Sequence, residues 1–182
     1  MLVLTTPRLL LRHLEHTDLD ALYALYRDPE MRRYYPDGTR TRAETLEELE
    51  WQRSGHPECP ELGLWATVER NTGAFLGRCG LLPWVIDGRP EVELAYLIDK
   101  ARWGEGFATE AARGIVEYAH QTLHLERLMS VVTPGNDASA RVAEKVGMVF
   151  EREYRDELGL CLIYARALPS TGSRADYAAN LA

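Results

Sequence analysis

Leu94-Ala95-Tyr96-Leu97-Ile98-Asp99-Lys100-Ala101-Arg102-Trp103-Gly104-Glu105-Gly106-Phe107-Ala108-Thr109-Glu110-Ala111-Ala112 is the stretch that decides how this chain folds. A strand-like run enters a loop with two glycines and leaves it as a helical pattern. Gly104 and Gly106 let the backbone approach a ligand with no Cβ in the way. The helix that follows, read from Thr109 to Leu123, begins with unpaired N–H groups and the positive end of its dipole, which suits a pyrophosphate. Its inner face is Ala108, Ala112, Ile115, Ala119 and Leu123; Glu110, Arg113, Glu117 and Gln121 lie outside, so it packs on a sheet. A ligand-free glycine turn is the plainest reading of such a loop. A Rossmann loop needs glycine where Thr109 stands, and a Walker loop needs GK[ST], which is missing.

Upstream, Leu9-Leu10-Leu11-Arg12 reads as an opening strand. A helix after Thr17 or Asp18 carries Leu19, Leu22, Tyr23 and Tyr26 on one face, and Asp28-Pro29 stops it. A second helix spans about Arg42 to Arg53, with Leu46, Leu49 and Trp51 as its apolar positions, and the loop Ser54 to Pro60 closes this section. Strands are expected at Leu64 to Val68, Phe75 to Pro83 and Val92 to Ile98, joined by Asn71-Thr72-Gly73 and Asp87-Gly88-Arg89-Pro90, the turn chemistry of antiparallel hairpins. Downstream come a strand (Leu128 to Thr133), a helix (Asn136 to Val146) and two more strands, the last centred on Leu162 to Ala165. Residues 1–168 form one α/β domain; residues 169–182, rich in Ser, Ala and Gly, read as a mobile tail.

Trp103-Gly104-Glu105-Gly106-Phe107-Ala108-Thr109-Glu110-Ala111 resembles the acyl-CoA pyrophosphate loop of the GNAT N-acetyltransferase superfamily. The family pattern is Gln/Arg-x-x-Gly-x-Gly/Ala; Gly106 and Ala108 match its last two fixed positions. Trp103 replaces the Gln or Arg, as is usual in the branch resembling the ribosomal-protein N-terminal acetyltransferases RimJ and RimL. A second segment, Val132 to Met148, is similar to that branch's Asn-x-x-Ser…Glu-Lys-x-Gly-Phe motif, through Asn136, Ser139, Glu144, Lys145 and Gly147. Asn136 as a helix cap and Gly147 as a helix end would explain both residues structurally as well. The opening Thr6-Pro7-Arg8-Leu9-Leu10-Leu11-Arg12 resembles the family's first strand, so the likeness covers about residues 3–167.

The resemblance implies a mixed, mostly antiparallel sheet splayed into a V between the strand ending near Ile98 and that at Leu128 to Thr133. Acetyl-CoA would enter the V. Its pantetheine arm would bond the main chain of Tyr96, Leu97 and Ile98, with Asn136 on the far side, and its phosphates would meet Trp103, Gly104, Glu105, Gly106, Phe107, Ala108 and Thr109. An amine would attack the thioester directly, with no acyl-enzyme. Ser139 is then the candidate proton donor to the departing thiolate. Glu93, on the strand leading into the cleft, is the candidate base, directly or through water; an exposed carboxylate with no proton role remains open. Glu151 and Tyr154 are weaker candidates for holding the acceptor. Ala143 stands where another branch has a tyrosine acid.

At 46% hydrophobic and 27% charged residues the composition is that of a soluble globular domain, and no apolar run approaches the roughly 18 residues of a membrane span. Neither a signal-peptide layout nor a membrane partner is expected, so the default location is the cytoplasm. The net charge of −7 argues against nucleic acid as a partner and is compatible with a cationic amine. Cys59, Cys79 and Cys161 read as free buried thiols, and His120 and His124, without HExxH, as ordinary polar residues; no metal is expected. A protein N-terminus, an amino sugar, a polyamine, a drug or an amino acid would each suit as acceptor, to a monomer or homodimer. A non-catalytic acyl-CoA-binding domain and, more remotely, a dinucleotide binder stay open.

Overall fold

In the computed structural model, which describes residues 1–54 and 59–169, eight strands form one sheet. They are β1 (Leu2–Thr5), β2 (Leu9–Arg12), β3 (Gly63–Glu69), β4 (Phe75–Ile86), β5 (Arg89–Ile98), β6 (Arg127–Val132), β7 (Val149–Asp156) and β8 (Gly159–Ala167). Their spatial order is β1-β2-β3-β4-β5-β6-β8-β7, with every neighbouring pair antiparallel except β5 and β6. The helices are α1 (Leu19–Tyr26), α2 (Arg42–Ser54), α3 (Phe107–Gln121) and α4 (Asp137–Lys145).

The apolar pattern divides the helices between the two faces of the sheet. Leu9, Leu11, Trp65, Leu81, Leu94 and Leu128 pack against the inner face of α3 in the larger core, to which α4 contributes Ala143. Leu22, Leu25, Tyr26 and Leu49 of α1 and α2 close on Ala66 and Leu97 from the other side. A smaller cluster, Ile86, Met129, Ile163 and Ala165, continues that second face toward β8.

The structure departs from the pattern-based expectation in several places, among them the β4–β5 hairpin, which runs on to Ile86, resumes at Arg89 and turns on Asp87-Gly88 alone. The edge strand β1 precedes Leu9; its four residues are too short for alternation to announce. Helix α3 starts at Phe107 rather than Thr109, because Gly106 at φ 84° turns the chain directly into helical geometry and the buried Phe107 ring anchors the first turn. In α2, Trp51 is 44% exposed, while Thr45 and Gln52 are buried; Gln52 Oε1 accepts from the Leu64 N–H at 2.8 Å, so a polar side chain occupies an inner position. Residues 55–58 of the loop after Ser54 and the tail beyond Pro169 lie outside the described residues.

The opening in the sheet follows from register. β5 and β6 are paired at one position, Glu93 opposite Met129, although β5 runs on to Ile98 and β6 to Val132. Next to that last pair, the buried Ser130 hydroxyl donates to the Leu94 carbonyl at 2.8 Å. A side chain thus stands where the ladder would continue, and the strands part beyond it.

Candidate active site

The phosphate-loop candidates form one continuous feature. Asp99 Oδ1 accepts from the Ala101 N–H and sets a single turn of 3-10 helix, Lys100–Arg102, that carries the chain from β5 to the loop. Gly104 and Gly106 take φ values of 83° and 84°, left-handed conformations that side-chain-bearing residues resist. The first N–H after the loop with a main-chain partner is that of Glu110, which donates to the Gly106 carbonyl at 3.0 Å. The N–H groups from Gly104 to Thr109 have no acceptor among the described residues. Six successive donors at a helix start make a cradle suited to anionic oxygens such as those of a pyrophosphate.

Side chains around this loop brace it. Phe107 is buried, with the guanidiniums of Arg8 and Arg102 at 4.3 and 4.7 Å from its ring centroid. Arg8 pairs with Glu110 and donates to the Glu105 carbonyl at 3.1 Å, while Arg102 binds Glu105 and Glu69. Arg102 holds the Glu69 carboxyl down at about 2. Glu110 is therefore no idle outer-face residue: it also accepts from Thr6. Trp103, half exposed, donates its indole N–H to the Ile98 carbonyl at 2.7 Å. Sequence reasoning missed Arg8 and Arg102 as loop supports, since their partners lie up to 102 positions away.

Along β5 the main chain alternates. The Leu94 carbonyl faces β6, so the main-chain groups of Tyr96 and Ile98 also face the opening. Asp99 donates its N–H to the Leu76 carbonyl on β4, so Leu97 turns its main chain the same way, away from the opening. Tyr96 and Ile98 are thus the strand residues whose main chain borders the V.

Across the opening, Asn136 caps α4 by accepting from the Ser139 N–H at 3.2 Å. The Ser139 hydroxyl lies 3.2 Å from the Tyr96 hydroxyl, which donates to the Ser139 carbonyl at 2.8 Å. Burial raises the Tyr96 phenol to about 12, so it stays protonated. The segment between α1 and α2 spans the same mouth: Thr133 Oγ1 donates to the Tyr34 carbonyl at 2.9 Å, and Tyr34 donates to the Gly135 carbonyl at 2.8 Å. Lys100 meanwhile pairs with Asp28 and Glu30 of that segment.

Glu93 sits where the strands part, on the α1/α2 face, opposite to Tyr96. Trp84 Nε1 donates to its carboxylate at 2.7 Å. Burial raises the carboxyl to about 7, against the opposing effects of hydrogen bonds from Trp84 and the Val131 N–H and of the Arg78 charge. Tyr154 packs beside Ile163 and Met129 on this face, whereas Glu151 is held by Arg127 at 2.8 Å. Cys79 is fully buried and pushed up to about 11, which makes it a poor nucleophile; Cys161 is half-buried. His120 lies within reach of the Pro169 carbonyl at 3.0 Å. Among the described residues no helix is long and apolar enough to cross a membrane.

Residues 8–149 match the family model of the acetyltransferase (GNAT) domain. This chain belongs to the GNAT acetyltransferase family. Among its relatives, the uncharacterised protein YkkB of Bacillus subtilis is 34% identical over 153 residues, 84% of this chain and 88% of that protein. A GNAT-family acetyltransferase structure from Bacillus anthracis superposes with a TM-score of 0.78 at 21% identity, covering 92% of this chain and 98% of that one. The spermidine N-acetyltransferase of Vibrio cholerae, solved with CoA and spermine, has the same fold at a TM-score of 0.72 and 19% identity, over 88% and 95% of the two chains. The chain is an acetyl-CoA-dependent N-acetyltransferase with a GNAT fold.

Proposed function

We propose that this enzyme acetylates an α-amine, the free N-terminus of a peptide or protein, by direct attack within a ternary complex in the RimJ/RimL-like manner. The observation that carries the reading is the placement of a candidate base and a candidate acid on opposite faces of the sheet at one opening. Glu93 faces α1 and α2 with a carboxyl raised to about 7; Ser139 and Tyr96 meet across the V on the α3/α4 side. An amine arriving from the Glu93 side would lose its proton to Glu93, directly or through water. The acetyl carbonyl, lying between the strands, would be polarised by the Tyr96 N–H, and Ser139 would protonate the departing thiolate while recovering a proton from solvent, to which Glu93 releases the one taken from the amine. The donor's phosphates would rest on the N–H groups of Gly104 to Thr109, with Trp103 and Asn136 bordering the arm.

Amine chemistry selects the acceptor. An α-amine near ~7.8 is partly neutral at physiological pH and matches a base near neutrality, whereas a lysine near ~10.4 costs about 4 kcal/mol to deprotonate. The test is thiol release from acetyl-CoA with a free-N-terminus peptide and with its N-blocked counterpart containing an internal lysine. Turnover of the first and not the second is expected; efficient turnover of the blocked peptide would overturn the α-amine assignment.

A further inference from the structure

A charge cluster beneath α1 and α2 lies outside the residues assigned above to catalysis. Arg32 and Arg78, 2% and 5% exposed, flank the rings of Tyr26 and Tyr35. Arg32 pairs with Asp37, and Arg40 bridges Asp37 at 2.8 Å and Glu48 at 3.1 Å. Glu48 accepts from the Tyr26 hydroxyl, which in turn accepts from Arg78 Nε. Three guanidiniums therefore share two carboxylates. Arg78 is left short, with Glu48 standing 3.8 Å from its Nε. Tyr26 does not supply the missing charge, because burial raises its phenol far above the usual range. A cation enclosed to this degree ordinarily has a paired anion.

The two terminal nitrogens of Arg78 have no hydrogen-bond partner among the described residues. Neither is sealed from water, since Thr67 Oγ1 is the one fully buried side-chain polar atom without a partner among those residues. Both terminal nitrogens therefore keep some solvent contact, although the side chain is otherwise enclosed. Register gives the position of Arg78 relative to Glu93. Arg78 is paired with Leu97, Gly80 with Ala95 and Leu82 with Glu93, so Arg78 and Glu93 share the α1/α2 face. Their rows lie four residues apart, about 13 Å at the backbone. The row between them is Gly80 and Ala95, which together project no more than a methyl group.

We propose that Arg78 is the anion site of the acceptor pocket and that the acceptor carries a carboxylate close to its amine. This rests on the acetyltransferase reading above and refines its α-amine acceptor, admitting free α-amino acids beside peptides. The planar pair of terminal N–H groups matches the two oxygens of a carboxylate, while Glu93 takes the amine end across the Gly80–Ala95 floor. A free α-amino acid and a peptide beginning with Asp or Glu both offer this chemistry. A polyamine offers no anion and is repelled by Arg78.

Initial rates of thiol release from acetyl-CoA decide the matter, measured with glutamate and with a Glu-initiated peptide. Each is compared with its neutral counterpart, glutamine amide and the Gln-initiated peptide, and with spermidine. KM for at least one carboxylate form should be tenfold or more below that of its neutral partner, and the two arms tell amino acid from peptide. In Arg78→Gln and in Arg78→Lys, which keeps the charge but loses the fork, that discrimination should collapse below threefold. Acetyl-CoA binding by calorimetry shows that each variant is folded; if Arg78→Gln does not fold, the wild-type ratio and Arg78→Lys carry the test. Equal KM values for acid and neutral forms, or preference for spermidine, would overturn the anion site and leave the acetyltransferase standing. Failure of every amine to turn over would overturn the reading beneath both.

Discussion

The two sides of the split sheet are built on different principles. On the α3 side the candidate site is main chain: two left-handed glycines and six N–H groups from Gly104 to Thr109, braced by Arg8 and Arg102. On the α1/α2 side it is side chain: Glu93 held by Trp84, and Arg78 held by Tyr26. A main-chain site suits the part of a substrate that is invariant, which in the proposed reading is the phosphates and arm of acetyl-CoA. A side-chain site can change with the acceptor without disturbing the fold. Damage to the first side should appear in donor binding, and damage to the second in turnover and acceptor choice.

The largest effect expected is on the side-chain half. Glu93→Gln removes the proposed base, whose carboxyl lies near neutrality, and kcat for an α-amine peptide should fall about 100-fold, the lower end of general base assistance. A fall below threefold would show that the amine arrives already neutral and needs no protein base.

Ser139 joins the two halves, since its hydroxyl meets Tyr96 across the V. Thiolate departs readily, so Ser139→Ala should lower kcat by about 10- to 100-fold with a smaller change in KM for acetyl-CoA. Wild-type turnover would reduce Ser139 to a residue of the first turn of α4.

Gly106→Val attacks the main-chain half. At φ 84° a branched side chain is strained and its Cβ would stand 3.6 Å from Arg8 Nη2, so the loop must shift and carry its N–H groups with it. Calorimetry should show a loss of acetyl-CoA affinity of at least about tenfold, roughly 1.4 kcal/mol. Unchanged affinity in a folded variant would move the phosphates elsewhere.

The smallest effect concerns stability. Folding raises the Glu93 carboxyl to about 7, so the folded state resists its ionisation. Any benefit of the protonated form is present below the unfolded value and is lost as pH rises through 7. Glu93→Gln should therefore be more stable than wild type at pH 8, by on the order of 1–2 kcal/mol after allowing for partial exposure, and indistinguishable near pH 4. Equal melting temperatures at pH 8 would show that Glu93 titrates as an ordinary carboxyl.

The same contrast explains what could be read before the structure. Main-chain sites leave a compact trace, because a glycine needed at positive φ and a helix start needed at a fixed offset must be written within a few residues. The strand, loop and helix around Gly104 and Gly106 were legible for that reason, as was the cap at Asn136. The site of the split was implied by family resemblance, but its cause, Ser130 taking the Leu94 carbonyl, has no local signal. Arg78 was invisible as well: its partners Tyr26 and Glu48 lie on two other elements, and one buried arginine in a strand pattern looks like any surface arginine. Arg8 escaped notice because Glu110 is 102 positions away.

The most direct test of this division of labour is the acetyl-CoA dissociation constant of Glu93→Gln, measured by calorimetry beside wild type. With the donor held by main-chain N–H groups on the far side of the opening, the two constants should agree within twofold even as turnover drops. A tenfold loss of acetyl-CoA affinity in a folded Glu93→Gln variant would contradict the account, because it would place Glu93 in the donor site.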